Sequence, residues 1–294
     1  MSTLRIGLGQ LAPGLGLLDE NLAAHARAID EARDSDVQLL VFPELGLTGY
    51  LLQDMNAEVA MATHDPRLLE LGVRAGDMSV IVGFVEESVD HQLYIAAALF
   101  EEGELRHVYR KSYLPNYGLF DERRFFAAGT KLRAVDSRLG LRLGICICED
   151  FWHLPVPYLL AVDGAQILIN ISSSPGRDIA AVVEGGLGTA ASWRTLMRAY
   201  AQLTTCHVVF VNRVGVEESI TFWGGSQVLD PAGDVVFEAP MLEEGLFIAE
   251  IDTNDLRRER LALPLVRDER PEFVLRQLER IVREAAGMTD DDVT

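Results

Sequence analysis

The stretch Leu141-Arg142-Leu143-Gly144-Ile145-Cys146-Ile147-Cys148-Glu149-Asp150-Phe151-Trp152 holds the pattern on which the fold turns. An apolar run of strand length ends on Cys148 and passes at once into two acids and a helix start. The same change recurs elsewhere. Val37 to Phe42 is a strand apolar but for Gln38 that exits through Pro43-Glu44, and Glu104 to Tyr109 leads into Arg110-Lys111. Around these strands the spacing predicts further elements: strands at Leu4 to Leu11, Ser79 to Glu86, Ile167 to Ile171, His207 to Val214 and Gly245 to Ile251. Helices are predicted at Leu18 to Ser35, Pro66 to Ala75, Ala190 to Thr205 and Pro271 to Ala286. Glu101-Glu102-Gly103 reads as a hairpin turn between Gln92 to Phe100 and Glu104 to Tyr109, and Asp230-Pro231-Ala232-Gly233-Asp234 as a second turn. Asp252 offers an N-cap for a short helix. Parallel-type strands and hairpins together predict a layered α/β (α+β) architecture, with a mixed sheet or two sheets covered by helices. There is no internal repeat and no Pro/Gly/Ser-rich linker. One domain over 1–294 is therefore expected, with a core to about residue 251 and a C-terminal arm from about Asp252.

Composition narrows the function classes. A chain of 294 residues can bury roughly three quarters of its unfolded surface, so it needs no disulfides or structural metal to fold. Lys plus Arg is 26 against 45 Asp plus Glu, a net charge of −19, which repels phosphate backbones and anionic lipid. No nucleic-acid or membrane partner is expected. The C-terminal Asp290-Asp291-Asp292 reads as a solvated end. Cys146, Cys148 and Cys206 make an odd count, which argues against a secreted disulfide framework. Met1 to Ile6 reads as the approach to a first strand rather than a signal peptide, and no run reaches the roughly eighteen apolar residues of a membrane helix. A reduced, cytoplasmic setting follows as the expectation.

Several motifs carry no chemistry. Gly7-Leu8-Gly9 loosely fits a dinucleotide loop, but Pro13 follows and no helix opens there. Gly185-Gly186-Leu187-Gly188 precedes a helix and could hold an anion, but a plain substrate-side loop is the better reading. There is no Gly-Lys-Ser/Thr phosphate loop and no Gly-x-Ser-x-Gly elbow, and the six histidines are scattered without ligand spacing. Neither a metal nor a cofactor is expected. The three strand exits remain. Glu44, at the lip of a buried strand, is placed for general-base work. A lysine such as Lys111 can donate to a developing oxyanion, though alone it would read as a solvated side chain. Cys148, at a strand-to-helix turn, gains thiolate character if helix N–H groups face it. Cys146, two residues earlier, reads as core.

Taken together these segments resemble the nitrilase, or carbon-nitrogen hydrolase, superfamily, whose signature is a Glu, a Lys and a Cys in that order, each at a strand end. The resemblance covers essentially the whole chain and extends to Val211-Asn212-Arg213-Val214-Gly215 and Gly224-Gly225-Ser226-Gln227-Val228-Leu229-Asp230-Pro231-Ala232-Gly233. Phe42 to Tyr50, Leu114 to Glu122 and Ile147 to Trp152 look most similar to the glutaminase domain of glutamine-dependent NAD synthetase. The resemblance implies a four-layer α-β-β-α sandwich and catalysis without a cofactor. It implies Cys148 as nucleophile, Glu44 as general base, Lys111 as oxyanion donor and Glu122 as the glutamate that orients the lysine. Substrate-binding roles are implied for Tyr117, Glu149, Ser174 and Arg177. The substrate would be a small amide, glutamine in that branch. Alternatives are an ω-amidase, an N-carbamoyl amino-acid hydrolase, or a binding protein that kept the fold and lost turnover. Family members commonly form homodimers or higher homo-oligomers, and the Phe273, Val274, Leu278 and Ile281 stripe could reach over a partner or pack on its own subunit. The Ser-Gly-Gly-x-Asp-Ser loop of the synthetase half is not in this sequence. The expectation is either a stand-alone amidase or an ammonia supplier to a separate synthetase chain.

Overall fold

The computed structural model describes residues 3–176 and 188–286. In chain order the strands are β1 (Thr3–Gln10), β2 (Leu39–Val41), β3 (Ser79–Glu87), β4 (Leu93–Glu101), β5 (Glu104–Arg110), β6 (Val135–Asp136) and β7 (Arg142–Ile147). They continue as β8 (Ile167–Ser172), β9 (His207–Asn212), β10 (Val214–Glu217), β11 (Ile220–Trp223), β12 (Gln227–Leu229), β13 (Val235–Glu238) and β14 (Gly245–Asp252). One six-stranded sheet has the order β14-β1-β2-β3-β4-β5 and the other β13-β12-β9-β8-β7-β6, while β10 and β11 form a separate hairpin.

Alternation within the strands explains the layers. In β2 and β3, Leu39, Val41, Ile81 and Val85 enter the core between the two sheets. Their neighbours Leu40, Val80, Val82 and Phe84 turn the other way, toward Ile29 and Ala32 of the helix Leu18–Asp34 and Leu68 and Leu71 of the helix Pro66–Ala75. On the far side Leu160 of the helix Pro155–Val162 and Trp193, Met197 and Ala201 of the helix Gly188–Thr204 are buried against the second sheet. Helix, sheet, sheet and helix give the four-layer α-β-β-α sandwich. Strands apolar on both faces are what a parallel sheet buried between layers requires, and β1-β2-β3 and β7-β8-β9 are the parallel runs.

Local chemistry sets the ends of the elements. The helix Pro66–Ala75 begins where Asp65 accepts the Arg67 N–H, with Pro66 in the first turn. Glu102 and Gly103 both have positive φ, the backbone of a tight two-residue hairpin, and join β4 to β5 as expected. Asp230 accepts the N–H groups of Ala232 and Asp234 and closes the predicted turn between β12 and β13. Asp252 accepts the N–H of Asn254 ahead of the helix Asn254–Ala262.

The C-terminal helix Pro271–Ala285 buries none of its residues. Phe273, Leu275, Leu278, Ile281 and Val282 are exposed, so its apolar stripe is not used by its own chain. Among the described residues no helix is long and apolar enough to cross a membrane.

The topology brings the three strand exits together. Strand β3 is antiparallel to β4 and β4 to β5, so β5 points the same way as β2 and β3. The segments after β2, β5, β7, β8 and β9 therefore gather at one rim of the sandwich, where parallel α/β sheets place their clefts. One glycine permits this approach. A Cβ on Gly83 would stand 2.3 Å from the Pro43 carbonyl oxygen and 2.8 Å from the Leu45 nitrogen, so only glycine lets the Glu44 turn lie on β3. Gly83→Ala should therefore destabilise the fold by about 1–3 kcal/mol, the usual cost of overpacking. Urea or thermal unfolding would measure it, and an unchanged midpoint would show that the turn can yield.

Candidate active site

Glu44 follows Pro43 at the end of the β2 segment and is completely buried. Its Oε2 accepts the backbone N–H of Ser173 at 2.8 Å, and the Ser173 hydroxyl donates to the Glu44 carbonyl at 2.7 Å. Its Oε1 accepts the Lys111 Nζ at 2.7 Å. The same ammonium donates to Glu122 Oε1 at 2.8 Å, and that oxygen also accepts the Tyr50 hydroxyl at 2.5 Å. Lys111 is held by backbone on both sides: its N–H donates to Ile95, and its carbonyl accepts the Gly129 N–H at 2.7 Å. A Cβ on Gly129 would stand 2.1 Å from the Arg110 oxygen, so this contact too needs glycine.

Burial works to strip the proton from Lys111, but the charges of Glu122 and Glu44 outweigh it and hold the ammonium well above its ordinary value. Burial pushes the Glu122 carboxyl up to about 7 against the pull of Lys111. Its Oε2 is buried without a hydrogen-bond partner. The Tyr50 hydroxyl is pushed well above its ordinary value by burial and by Glu122, Glu44 and Cys148, which keeps it a donor.

Strand β7 stops at Ile147, and Cys148 opens the 3-10 turn Cys148–Trp152 with φ +45°. That is a left-handed conformation rarely adopted by a non-glycine residue. Cys148 is 8% exposed and lines a cavity, whereas Cys146 is fully buried in the core, as its position two residues earlier suggests. All three cysteines are free. The expectation of thiolate character needs correction. Burial pushes the Cys148 thiol well above its ordinary value, Glu44, Glu122 and Glu149 push the same way, and Lys111 opposes them only in part. A single short turn offers too little positive potential against three carboxylates. At rest Cys148 is held as a neutral thiol.

The cavity beside Cys148 has a volume of about 460 Å³ and is lined by Tyr117, Glu149, Trp152, Ser174 and Trp193 among others. That is within the usual range for a small-molecule site. Tyr117 donates from its hydroxyl to Glu149, at 3.1 and 2.9 Å from the two carboxylate oxygens. Ser174 Oγ accepts two indole N–H groups, Trp193 at 2.8 Å and Trp223 at 3.3 Å. With both lone pairs engaged, the hydroxyl has only its proton to offer a ligand. Of the residues expected at the site, Glu44, Lys111 and Glu122 are joined directly. Cys148 lies within reach of their charges, and Tyr117, Glu149 and Ser174 line the cavity. Arg177, and residues 185–187 of the Gly185–Gly188 stretch, lie outside the described residues.

Other supporting residues escape a reading of the sequence. Glu217, ion-paired with buried Arg213, accepts the N–H groups of Tyr50 and Leu51 and so holds the Tyr50 hydroxyl over Glu122. Asn212 Oδ1 accepts the Ser174 N–H at 2.8 Å, and its amide donates to Gly224. Asn212 and Arg213 lie in a stretch that stands out in the sequence, but nothing local says what their side chains hold.

The chain is similar to known proteins over most of its length. The profile of the carbon-nitrogen hydrolase family matches residues 5–260. The chain is 33% identical over 270 residues to the glutamine-dependent NAD(+) synthetase of Thermotoga maritima, covering 90% of this chain and 45% of that protein. It is 26% identical over 273 residues to the N-carbamoylputrescine amidase of Arabidopsis thaliana, covering 87% of this chain and 89% of that one. The solved structure of the glutamine-dependent NAD+ synthetase of Acinetobacter baumannii superposes with a TM-score of 0.76 at 28% identity, covering 86% of this chain and 46% of that one. The chain thus spans about half the length of these synthetases.

The raised Glu122 carboxyl predicts a pH dependence of stability. A carboxyl that titrates near 7 when folded and near 4.5 when unfolded favours folding fully only below about pH 4.5, and the benefit is lost as pH rises through about 7. Glu122→Gln has no such proton to lose. The difference in unfolding free energy, variant minus wild type, should grow in favour of the variant by about 2 kcal/mol between pH 5 and 8. Urea titrations across that range would measure it, and a flat difference would exclude Glu122 as the titrating group.

Proposed function

The chain belongs to the carbon-nitrogen hydrolase family, and we propose that it is a cysteine-dependent amidase releasing ammonia from a linear amide through a thioester, with a glutamine-like substrate. The observation that carries this reading is the Lys111 ammonium bonded to both Glu44 and Glu122 beside a cavity-lining thiol. Glu44 takes the proton of Cys148 as sulfur attacks the amide carbon. Lys111 and the backbone N–H of Glu149 hold the oxyanion. The carbon-nitrogen bond breaks as Glu44 returns the proton to the leaving nitrogen, and ammonia departs. Water then attacks the thioester, losing a proton to Glu44. The carbon-sulfur bond breaks, the acid is released and the thiol is re-protonated. Glu122 orients the lysine. No cofactor takes part.

The polarity of the cavity supports an amino-acid amide. Glu149 is acceptor-only when ionised and suits an α-ammonium group, with Tyr117 holding the carboxylate in place. Ser174 is left with a hydroxyl proton to donate and suits a carboxylate. Arg177 is proposed to join Ser174 there. The ammonia is either released or passed to a separate ammonia-accepting synthetase chain. Three free, buried cysteines support a reducing, cytoplasmic setting.

We further propose one domain over the chain, assembled as a homodimer or higher homo-oligomer through the exposed stripe of the helix Pro271–Ala285. Arg276, Arg280 and Arg283 stand beside Glu272, Glu279 and Glu284 on this helix, so a second copy can match its charges.

Two experiments test these readings. Assayed for ammonia release on a panel of amides that includes glutamine and an N-carbamoyl amino acid, Cys148→Ala and Cys148→Ser should be inactive but folded, and Cys146→Ala active. Lys111→Ala should slow acylation by about 100- to 1,000-fold. Full activity in Cys148→Ala would refute the nucleophile, and an unchanged acylation rate would remove Lys111 from the site. In sedimentation velocity the native chain should run as an oligomer and Leu278→Glu/Ile281→Glu as a smaller species. Equal profiles would remove this helix from the interface.

A further inference from the structure

We infer that Asp150 is a positioning residue, whose one carboxylate fixes both the turn that presents Cys148 and the strand exit that presents Lys111. The inference rests on these two being the reacting groups. Asp150 is fully buried. Its Oδ1 accepts the backbone N–H groups of Ser112 at 3.2 Å and Tyr113 at 3.0 Å. Its Oδ2 accepts the Ile147 N–H at 3.0 Å and the Tyr109 hydroxyl at 2.8 Å. Three of these donors bracket Lys111, and the fourth belongs to the residue before Cys148. Strands β5 and β7 lie in opposite sheets, so this one side chain ties the sheets together at the rim where the lysine and the sulfur meet.

The bonding pattern demands an ionised carboxylate. Four donors meet two oxygens, which together offer about four lone-pair sites. Burial pushes the Asp150 carboxyl up to about 6, and the Ile147 and Tyr113 N–H groups and Lys111 pull against that rise. Above that pH it is acceptor-only. An asparagine could not replace it. With its NH2 at the Oδ1 position it would face two backbone N–H groups, neither of which can turn away. At the Oδ2 position it would face the Ile147 N–H and the Tyr109 hydroxyl, and only the hydroxyl can rotate to accept. The second orientation is the better one, and it releases the N–H of Ile147, the residue before Cys148. Cys148 itself is left-handed, a conformation that persists only where its surroundings hold it. Cys148 should therefore drift while the cavity residues Glu149 and Ser174 keep their own partners.

The experiment compares wild type, Asp150→Asn and Tyr109→Phe at pH 7.5. Circular dichroism and thermal melts confirm folding. kcat and KM are measured on the best amide of the panel, and the alkylation rate of Cys148 by iodoacetamide is followed by peptide mass spectrometry. Folded Asp150→Asn should lose about 100-fold in kcat, as expected for reacting groups displaced by about 1 Å. KM should stay within about threefold, and alkylation should slow by about tenfold or more. A folded variant with kcat and alkylation within about twofold of wild type overturns the inference. So does a rise in KM that matches the fall in kcat, since that is a loosened pocket rather than a misplaced sulfur. If Asp150→Asn does not fold, Tyr109→Phe decides: kcat about three- to tenfold lower at constant KM supports the inference, and kcat within about twofold overturns it. Should wild type turn over no amide at all, the proposed reaction fails, and the alkylation rates alone decide the role of Asp150.

Discussion

A fully buried ammonium sits between two carboxylates at this rim, and the rest of the structure is arranged to keep that charge paired. Removing Lys111 from water is costly, and only close partners with good geometry compensate for it. Glu44 and Glu122 supply them from segments 67 and 11 residues away along the chain. Each carboxylate is braced in turn, Glu44 by Ser173 and Glu122 by Tyr50. A second buried pair, Arg213 with Glu217, holds the Tyr50 backbone. Loss of any one charged member would leave its partner stranded in a dry interior, so this cluster and the folded state are coupled.

Much of the scaffold is legible in the sequence because its signals are local. Pro66 to Ala75 is bounded by a capping aspartate and a proline, and the helix has those limits. The strand exits are legible because an apolar run that stops at a charged residue marks where a buried strand meets solvent or a site. That Glu44, Lys111 and Glu122 meet beside Cys148 could be anticipated from the three exits together with the family pattern. The bracing could not. Glu217 lies 167 residues from the Tyr50 N–H it accepts and Asp150 38 residues from that of Ser112. No periodicity encodes such contacts. The protonation of the sulfur is not legible in the sequence for a related reason. It is a sum over burial, the neighbouring Glu149, and Glu44, Glu122 and Lys111 from distant segments, and the sequence shows only what stands next to the sulfur.

The cavity divides the same way. Glu149 and Ser174 stand at the expected positions, but their polarity comes from partners that only packing reveals. Two tryptophans occupy the lone pairs of Ser174, and one tyrosine spans both oxygens of Glu149. A serine and a glutamate read from sequence could each serve several chemistries. In place, one is left with a proton to give and the other accepts.

The resting state of Cys148 bears on how the molecule ages. Peroxide and disulfides react with the sulfur anion far faster than with the protonated form. A thiol kept protonated by burial and by its carboxylate neighbours, and almost closed off from solvent, is a poor target for both. In the reaction proposed above the anion would form only as Glu44 accepts its proton during attack, so the chain would carry its nucleophile through oxidative episodes that would silence a more acidic thiol.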